Sequence, residues 1–232
     1  IPRQQFAPNV NLGSGKDAHH EFPAKASGND CFSAFPGEFD WYDTVKLNYG
    51  VDYGDGSTHF DPIPNTWFKM LHILRYWASK GVDGFRCDMV HMVPLEFWNW
   101  AIKNVKETYP EIIFIAEIYD TSLYRDFIHI GGFDYLYDKV TLYDTLRAVQ
   151  CSNVSAAQIT NCWQTVEGIN RNMLNFLENH DEQRFASAQF ASDAAIVIPS
   201  LVVSSMINTG PMMIYAGQEL GERGMDNEGF SG

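Results

Sequence analysis

Three acidic residues, Asp88, Glu117 and Asp181, each stand at or just beyond the end of a short apolar run, with His180 directly before the last. An unpaired charge left in such a place costs several kcal/mol, so each needs a reason to be there. Capping the next helix or pairing with a nearby arginine would be reason enough for any single one; three together point to chemistry. Two carboxyl groups roughly 5 to 5.5 Å apart can break a glycosidic bond with retention, one attacking the anomeric carbon and the other protonating the leaving oxygen. Adjacent β-strands lie about 4.8 Å apart, so acids at the ends of consecutive strands, Asp88 and Glu117, would face each other across a sugar ring. Arg86 precedes Asp88 by two residues and shares its strand face. Its charge is expected to keep Asp88 ionised as a nucleophile, whereas Glu117 needs a raised pKa to act as an acid.

Positioning these groups requires regular elements. After residue 64, Trp67, Leu71, Leu74 and Ala78 recur at helical spacing, with Asn65 or Thr66 as a cap and Gly81 as a left-handed stop. The pattern then predicts strands over 82–87, 111–118, 133–137, 173–178 and 212–215. Helices are predicted between them over 94–108, 122–130, 140–149, 155–164 and 192–208, the last kinked at Pro199. In 94–108 the apolar face carries Trp98, Ala101 and Val105. Short apolar strands alternating with amphipathic helices imply parallel pairing with right-handed crossovers, in a doubly wound sheet or a (β/α)-barrel. Both architectures put reactive groups where the strands finish. Residues 1–64 are rich in Asn, Gly, Asp, Pro and aromatics without a sustained period, and are read as irregular loops with a few short strands.

Composition narrows the partners. The 232 residues are 45% hydrophobic and 19% charged, as in a folded domain rather than a disordered tail or a fibre. A net charge of −13 opposes binding to nucleic-acid phosphates, so no nucleic-acid partner is expected. The apolar stretch 194–207 is interrupted by Pro199, Ser200, Ser204 and Ser205 and falls short of the roughly 20 residues that span a bilayer, so no membrane span is expected. Cys31, Cys87, Cys151 and Cys162 lack zinc-type pairing; Cys151 and Cys162 are the two that could bridge. The cysteines leave the compartment open, with an extracellular, periplasmic or cell-surface location favoured over a cytoplasmic one, and the oligomeric state is left open.

The stretches GVDGFRCD (81–88), IIFIAEIYD (112–120), FLENHDE (176–182) and PMMIYAGQELG (211–221) resemble, in order and spacing, successive signature blocks of the α-amylase family, glycoside hydrolase family 13. A weaker likeness covers Trp41 to Asn48, similar to the family's short block in the domain inserted after the third strand. The resemblance implies a (β/α)8 TIM barrel in which this chain supplies strands four to eight. Residues 1–64 would be the inserted, domain B-like segment and 65–232 the C-terminal part of the catalytic barrel. It further implies hydrolysis of α-glucans or maltooligosaccharides by double displacement: Asp88 matches the nucleophile, Glu117 the general acid/base, and Asp181 the third carboxylate. Arg86 and His180 match sugar-site residues, and His91 falls in the leaving-side subsite. Trp41, Tyr42, Tyr49 and Trp67 could stack on sugars, although packing is the commoner role of such aromatics.

The sequence also departs from the family. No Asn-His block of a third strand precedes residue 40, and His19 and His20 do not substitute for it. The chain is therefore expected to be a fragment with little or no activity in isolation. His91 and Met92 replace a common Lys-His pair, and Tyr119 stands where tryptophan is common. The resemblance allows a calcium ion, with Met92 offering a carbonyl and the cluster Asp52, Asp55 and Gly56 a candidate site, for which a solvated turn is the simpler reading. No organic cofactor is implied. Two alternatives stay open: a non-catalytic glucan-binding or inactive protein, and a transglycosylase or isomerase of the same family.

Overall fold

The structure, a computed structural model, describes residues 10–12, 19–21, 47–52, 55–152 and 154–224. Trp41, Tyr42, Cys31 and most of the 41–48 block lie outside the described residues. Near the start, β1 (Val10–Leu12) and β2 (His19–Glu21) pair antiparallel, and His19 and His20 belong to β2.

Helix α1 (Asn65–Ala78) begins behind Pro64 and α2 (Leu95–Lys106) behind Pro94. In both, the proline is the N-cap and no side chain caps the first turn, so Asn65 and Thr66 lie inside α1 rather than capping it. The proline carbonyls accept from Trp67 and Phe97 N–H at 3.0 Å, and burial of those two rings fixes where each helix starts. Gly81, at φ +85°, provides the left-handed stop after α1. Trp98, Ala101 and Val105 form the buried face of α2, together with Phe97 and Ile102.

Four parallel strands follow in the order β3 (Gly84–Cys87), β4 (Ile113–Ala116), β5 (Tyr135–Tyr137) and β6 (Met173–Leu174). The register pairs Gly84 with Ile113 and Cys87 with Ala116. A Cβ on Gly84 would meet the Ile113 carbonyl oxygen at 2.7 Å, so glycine is what allows β3 and β4 to approach here. Between the strands run α3 (Tyr124–His129), α4 (Asp144–Ser152) and α5 (Gln158–Thr165), with a π-helical turn Lys139–Tyr143 leading into α4. Every strand is shorter than its apolar run, and the fifth is reduced to one parallel bridge between Asn175 and Met212. The run 173–178 stops pairing after Asn175, because Phe176 and Leu177 go into the core and Glu178 into an ion pair.

Helix α6 (Ile198–Met206) holds Pro199 in its first turn, where a missing N–H costs nothing, so the proline opens the helix instead of kinking it. A 3-10 turn, Ala194–Val197, precedes it. Cys87, Cys151 and Cys162 are free thiols: Cys151 Sγ donates to the Phe190 carbonyl and Cys162 Sγ lies 3.1 Å from Thr145 Oγ1. Among the described residues no helix is long and apolar enough to cross a membrane.

Candidate active site

The β3–β4 register carries Asp88 and Glu117 one step past the last paired residues, to the carboxyl end of the sheet. There the chain folds around Glu117. Its N–H donates to the Cys87 carbonyl at 2.9 Å, and its own carbonyl accepts from Val90 N–H at 2.9 Å. Met89, in the left-handed region at φ 42°, donates its N–H to Glu117 Oε2 at 3.0 Å. A non-glycine residue pays about 1 to 2 kcal/mol to sit there, and the hydrogen bond to a carboxylate offsets that cost.

Arg86 is the hub. One terminal nitrogen contacts Asp88 Oδ1; the other lies 2.7 Å from Glu117 Oε1 and 3.8 Å from Asp181 Oδ2. The guanidinium carbon sits 5.1 Å from the centre of the Tyr137 ring on β5, a cation–π contact that holds it from the neighbouring strand. Four of the residues singled out from the sequence, Arg86, Asp88, Glu117 and Asp181, thus meet at one point. His180 Nε2 lies 3.4 Å from Asp181 Oδ2, with the side chain largely exposed.

The two central carboxylates differ in environment. The Asp88 side chain is 69% exposed and that of Glu117 3%. Burial pushes the Glu117 carboxyl above its ordinary value; Met89 N–H, Arg86 and Tyr119 pull it partly back, and the charge of Asp88 raises it further. Tyr119 donates its hydroxyl to Glu117 Oε1 at 2.9 Å. The sequence marks Tyr119 only as standing where tryptophan is common in the family; its position two residues after the acid was the available signal for this contact.

Other residues depart from this centre. His91 lies in the 3-10 turn Val90–Met92, its ring 6.5 Å from that of Tyr119 and its buried Nδ1 without a hydrogen-bond partner among the described residues. Trp67 and Tyr49 are packing residues: Trp67 is 3% exposed, donates Nε1–H to the Tyr49 carbonyl at 2.9 Å, and both rings pack on Phe97. Asp52, Asp55 and Gly56 form a turn in which Gly56 N–H donates to the Asp52 carbonyl and Ser57 N–H to Asp55 Oδ1. Asp55 Oδ1 is thus taken up within its own turn, and no cluster of three metal-ligating side chains occurs among the described residues.

The loop carrying Asp181 is anchored by neighbours that sequence reasoning did not single out. Asn179 Oδ1 accepts from the N–H groups of Asp181 and Glu182 at 2.9 and 2.8 Å. Buried Glu178 pairs with Arg184 at 2.8 Å and accepts from Phe185 N–H at 2.8 Å. Glu182 takes Lys139 at 3.1 Å and Arg147 at 3.2 Å. The density of charge in ENHDEQR was the only sequence signal.

Lys139 is delivered to Glu182 by the π-helical turn, whose cap is Asp138: its buried carboxyl accepts from Leu142 N–H at 2.9 Å and from the Thr141 hydroxyl. Burial pushes Asp138 up to about 6. The folded state therefore holds this proton more tightly than the unfolded chain does. That contribution is complete below the ordinary carboxylate value and is lost as pH rises through about 6. Asp138→Asn, neutral at every pH and able to keep the Oδ1 acceptor, is expected to gain about 2 kcal/mol on the wild type between pH 4 and 7.5. Urea midpoints at the two pH values measure this; parallel pH curves for the two proteins would contradict it.

A parallel sheet with crossover helices that collects its acids at the carboxyl ends of the strands has the arrangement of the α/β enzymes, doubly wound sheets and (β/α)-barrels alike. The catalytic-domain model of the α-amylase family matches residues 62–231, and the chain belongs to that family. It is similar to the alpha-amylase MalA of Haloarcula japonica, 29% identical over 202 residues, covering 80% of this chain and 28% of that protein. An alpha-1,4-glucan:maltose-1-phosphate maltosyltransferase of Cereibacter sphaeroides is 35% identical over 91 residues, covering 36% of this chain and 15% of that protein. Among solved structures, an alpha-amylase from Lactobacillus plantarum superposes with a TM-score of 0.61 at 27% identity, over 79% of this chain and 43% of that one. The chain thus spans less than half the length of these relatives. Its fold is part of a (β/α)8 barrel.

Proposed function

We propose that the protein is a retaining α-glucan hydrolase acting on starch, maltooligosaccharides or related α-glucosides through a covalent glycosyl-enzyme. The observation that carries this reading is the sharing of Arg86 by one exposed and one buried carboxylate at the ends of adjacent strands. A shared guanidinium keeps the two groups close, as a retaining pair requires, and their unequal burial separates their roles.

In the first step Asp88 attacks the anomeric carbon. The C–O bond breaks with its electron pair going to the leaving oxygen, and Glu117 protonates that oxygen. In the second step Glu117, now a carboxylate, takes a proton from water as the water oxygen displaces the ester, and the electron pair returns to Asp88. Asp181 and His180 bind sugar hydroxyls, and Arg86 holds all three acids in register. In this reading residues 65–232 form the C-terminal part of the catalytic barrel and residues 1–64 the inserted segment beside the cleft. His91 lies on the leaving-group side.

The test is product stereochemistry. Proton NMR of the first sugars released from maltopentaose by the full-length protein is expected to show the α-anomer before mutarotation; a β-anomer at the outset would refute double displacement. The segment similar to a maltosyltransferase favours a second reading, in which a sugar rather than water accepts the glycosyl group. That reading predicts products longer than the substrate in the same samples.

A further inference from the structure

Among the described residues the Glu117 carboxyl has three hydrogen-bond partners, and they are chemically unequal. Arg86 and the Met89 N–H are donors with no acceptor capacity, so neither can take a hydrogen bond from the O–H of the neutral acid. Tyr119 is different: its hydroxyl can donate to a carboxylate and can equally accept from a carboxylic acid. Among these three, Tyr119 is the partner able to follow a residue that must be acid in one step and base in the next.

Resting on the assignment of Glu117 as the acid/base, we propose that Tyr119 is a positioning residue whose hydroxyl reverses its hydrogen bond with Oε1, accepting when Glu117 is protonated and donating once the proton has gone to the leaving oxygen. In the free enzyme the neutral acid rests its proton on the Tyr119 oxygen. After transfer the phenolic O–H turns back to the carboxylate, which then stays aimed while water approaches. No proton leaves the tyrosine at any stage: burial first, and then the charge of Glu117, push the Tyr119 hydroxyl far above its ordinary value, so it remains a neutral O–H.

The surrounding charges are shared by both states. Around Glu117 stand Arg86 from β3 and Asp88 and Met89 N–H just beyond it, with Tyr137 of β5 against Arg86; Asp181 and Glu182, from the loop after β6, act on Tyr119. The His91 ring centre lies 6.5 Å from that of Tyr119. Tyr119→Phe leaves all of these in place and keeps the ring as a wall for sugar.

The experiment is a pH profile of kcat/KM for maltopentaose with the full-length wild type, Tyr119→Phe, Tyr119→Leu and Glu117→Gln. A hydrogen bond to the charged carboxylate is worth more than one to the neutral acid, so removing the hydroxyl makes Glu117 harder to deprotonate. In Tyr119→Phe the alkaline limb is expected to move up by about half to one pH unit while the acidic limb stays. At the optimum, kcat falls roughly tenfold with KM nearly unchanged. Tyr119→Leu, which also loses the ring, should show the same limb shift and a higher KM.

A profile of Tyr119→Phe that overlays the wild type, with Glu117→Gln inactive, would overturn the proposal and leave the acid/base assignment standing. Full activity in Glu117→Gln would overturn both. A merely structural role is read by thermal unfolding: Tyr119→Phe losing activity only in proportion to lost folded protein, with no limb shift, also counts against the proposal.

Discussion

Asp88→Asn is expected to lower maltooligosaccharide hydrolysis by roughly four orders of magnitude or more, because an amide cannot form the glycosyl ester. Glu117→Gln should lose about 10²- to 10⁴-fold on the same substrate. The two losses differ in how they can be repaired. A glycosyl fluoride, whose leaving group needs no proton, should restore the first step in Glu117→Gln and trap the covalent intermediate; it should do nothing for Asp88→Asn. Intact-mass measurement of the trapped species reads this directly. Both variants are isosteric and keep a contact to Arg86, so their unfolding midpoints should stay near that of the wild type. Equal rescue of both variants by the fluoride would exchange or dissolve the assigned roles.

Arg184→Met is expected to be the most destabilising single change near the site, at about 3 to 5 kcal/mol. Arg184 pairs with fully buried Glu178 at 2.8 Å and donates to the Ala216 carbonyl at 2.6 Å, so one guanidinium ties the loop after β6 to the segment after Met212. Its face also lies 4.6 Å from the centre of the Tyr215 ring. Methionine fills the volume but leaves a buried carboxylate and a carbonyl without this donor. Against a total stability of about 5 to 15 kcal/mol for a typical domain, that is a large share. Replacing both partners, as Glu178→Met with Arg184→Met, should recover part of the loss, since an apolar pair carries no desolvation debt. Urea unfolding with fitted slopes distinguishes these cases, and a single-variant cost below about 1 kcal/mol would show that the pair is not a main anchor.

The alternation of helices and parallel strands was readable from spacing, and the reason is local. Trp98, Ala101 and Val105 fall on one side of any helix built over 94–108, and that side had to be buried. The strand ends were readable in the same way, because apolar runs that pair in parallel deliver the next residue to the sheet's carboxyl edge, as happens at Asp88 and Glu117. Helix starts and strand lengths were less accessible. Asn65 and Thr66 look like caps, yet Pro64 takes that position because burial of Trp67 sets the first turn. The 212–215 run has strand composition, yet pairs only at Met212.

The amino-acid order alone settled which acids exist, which apolar run each follows, and that Arg86 shares a face with Asp88, since these depend on periodicities of two and 3.6 residues. It could not settle that Glu117 is buried while Asp88 is exposed, that Met89 turns left-handed to donate to Glu117, or that Tyr119 reaches the same carboxyl. Nor could it show that Arg184 bridges two loops across the sheet end. Exposure is a property of everything packed around a side chain, and several of these partners lie about thirty residues apart in the chain. Only the folded arrangement sets their distances, and with them the difference between two carboxylates that looks invisible in the sequence.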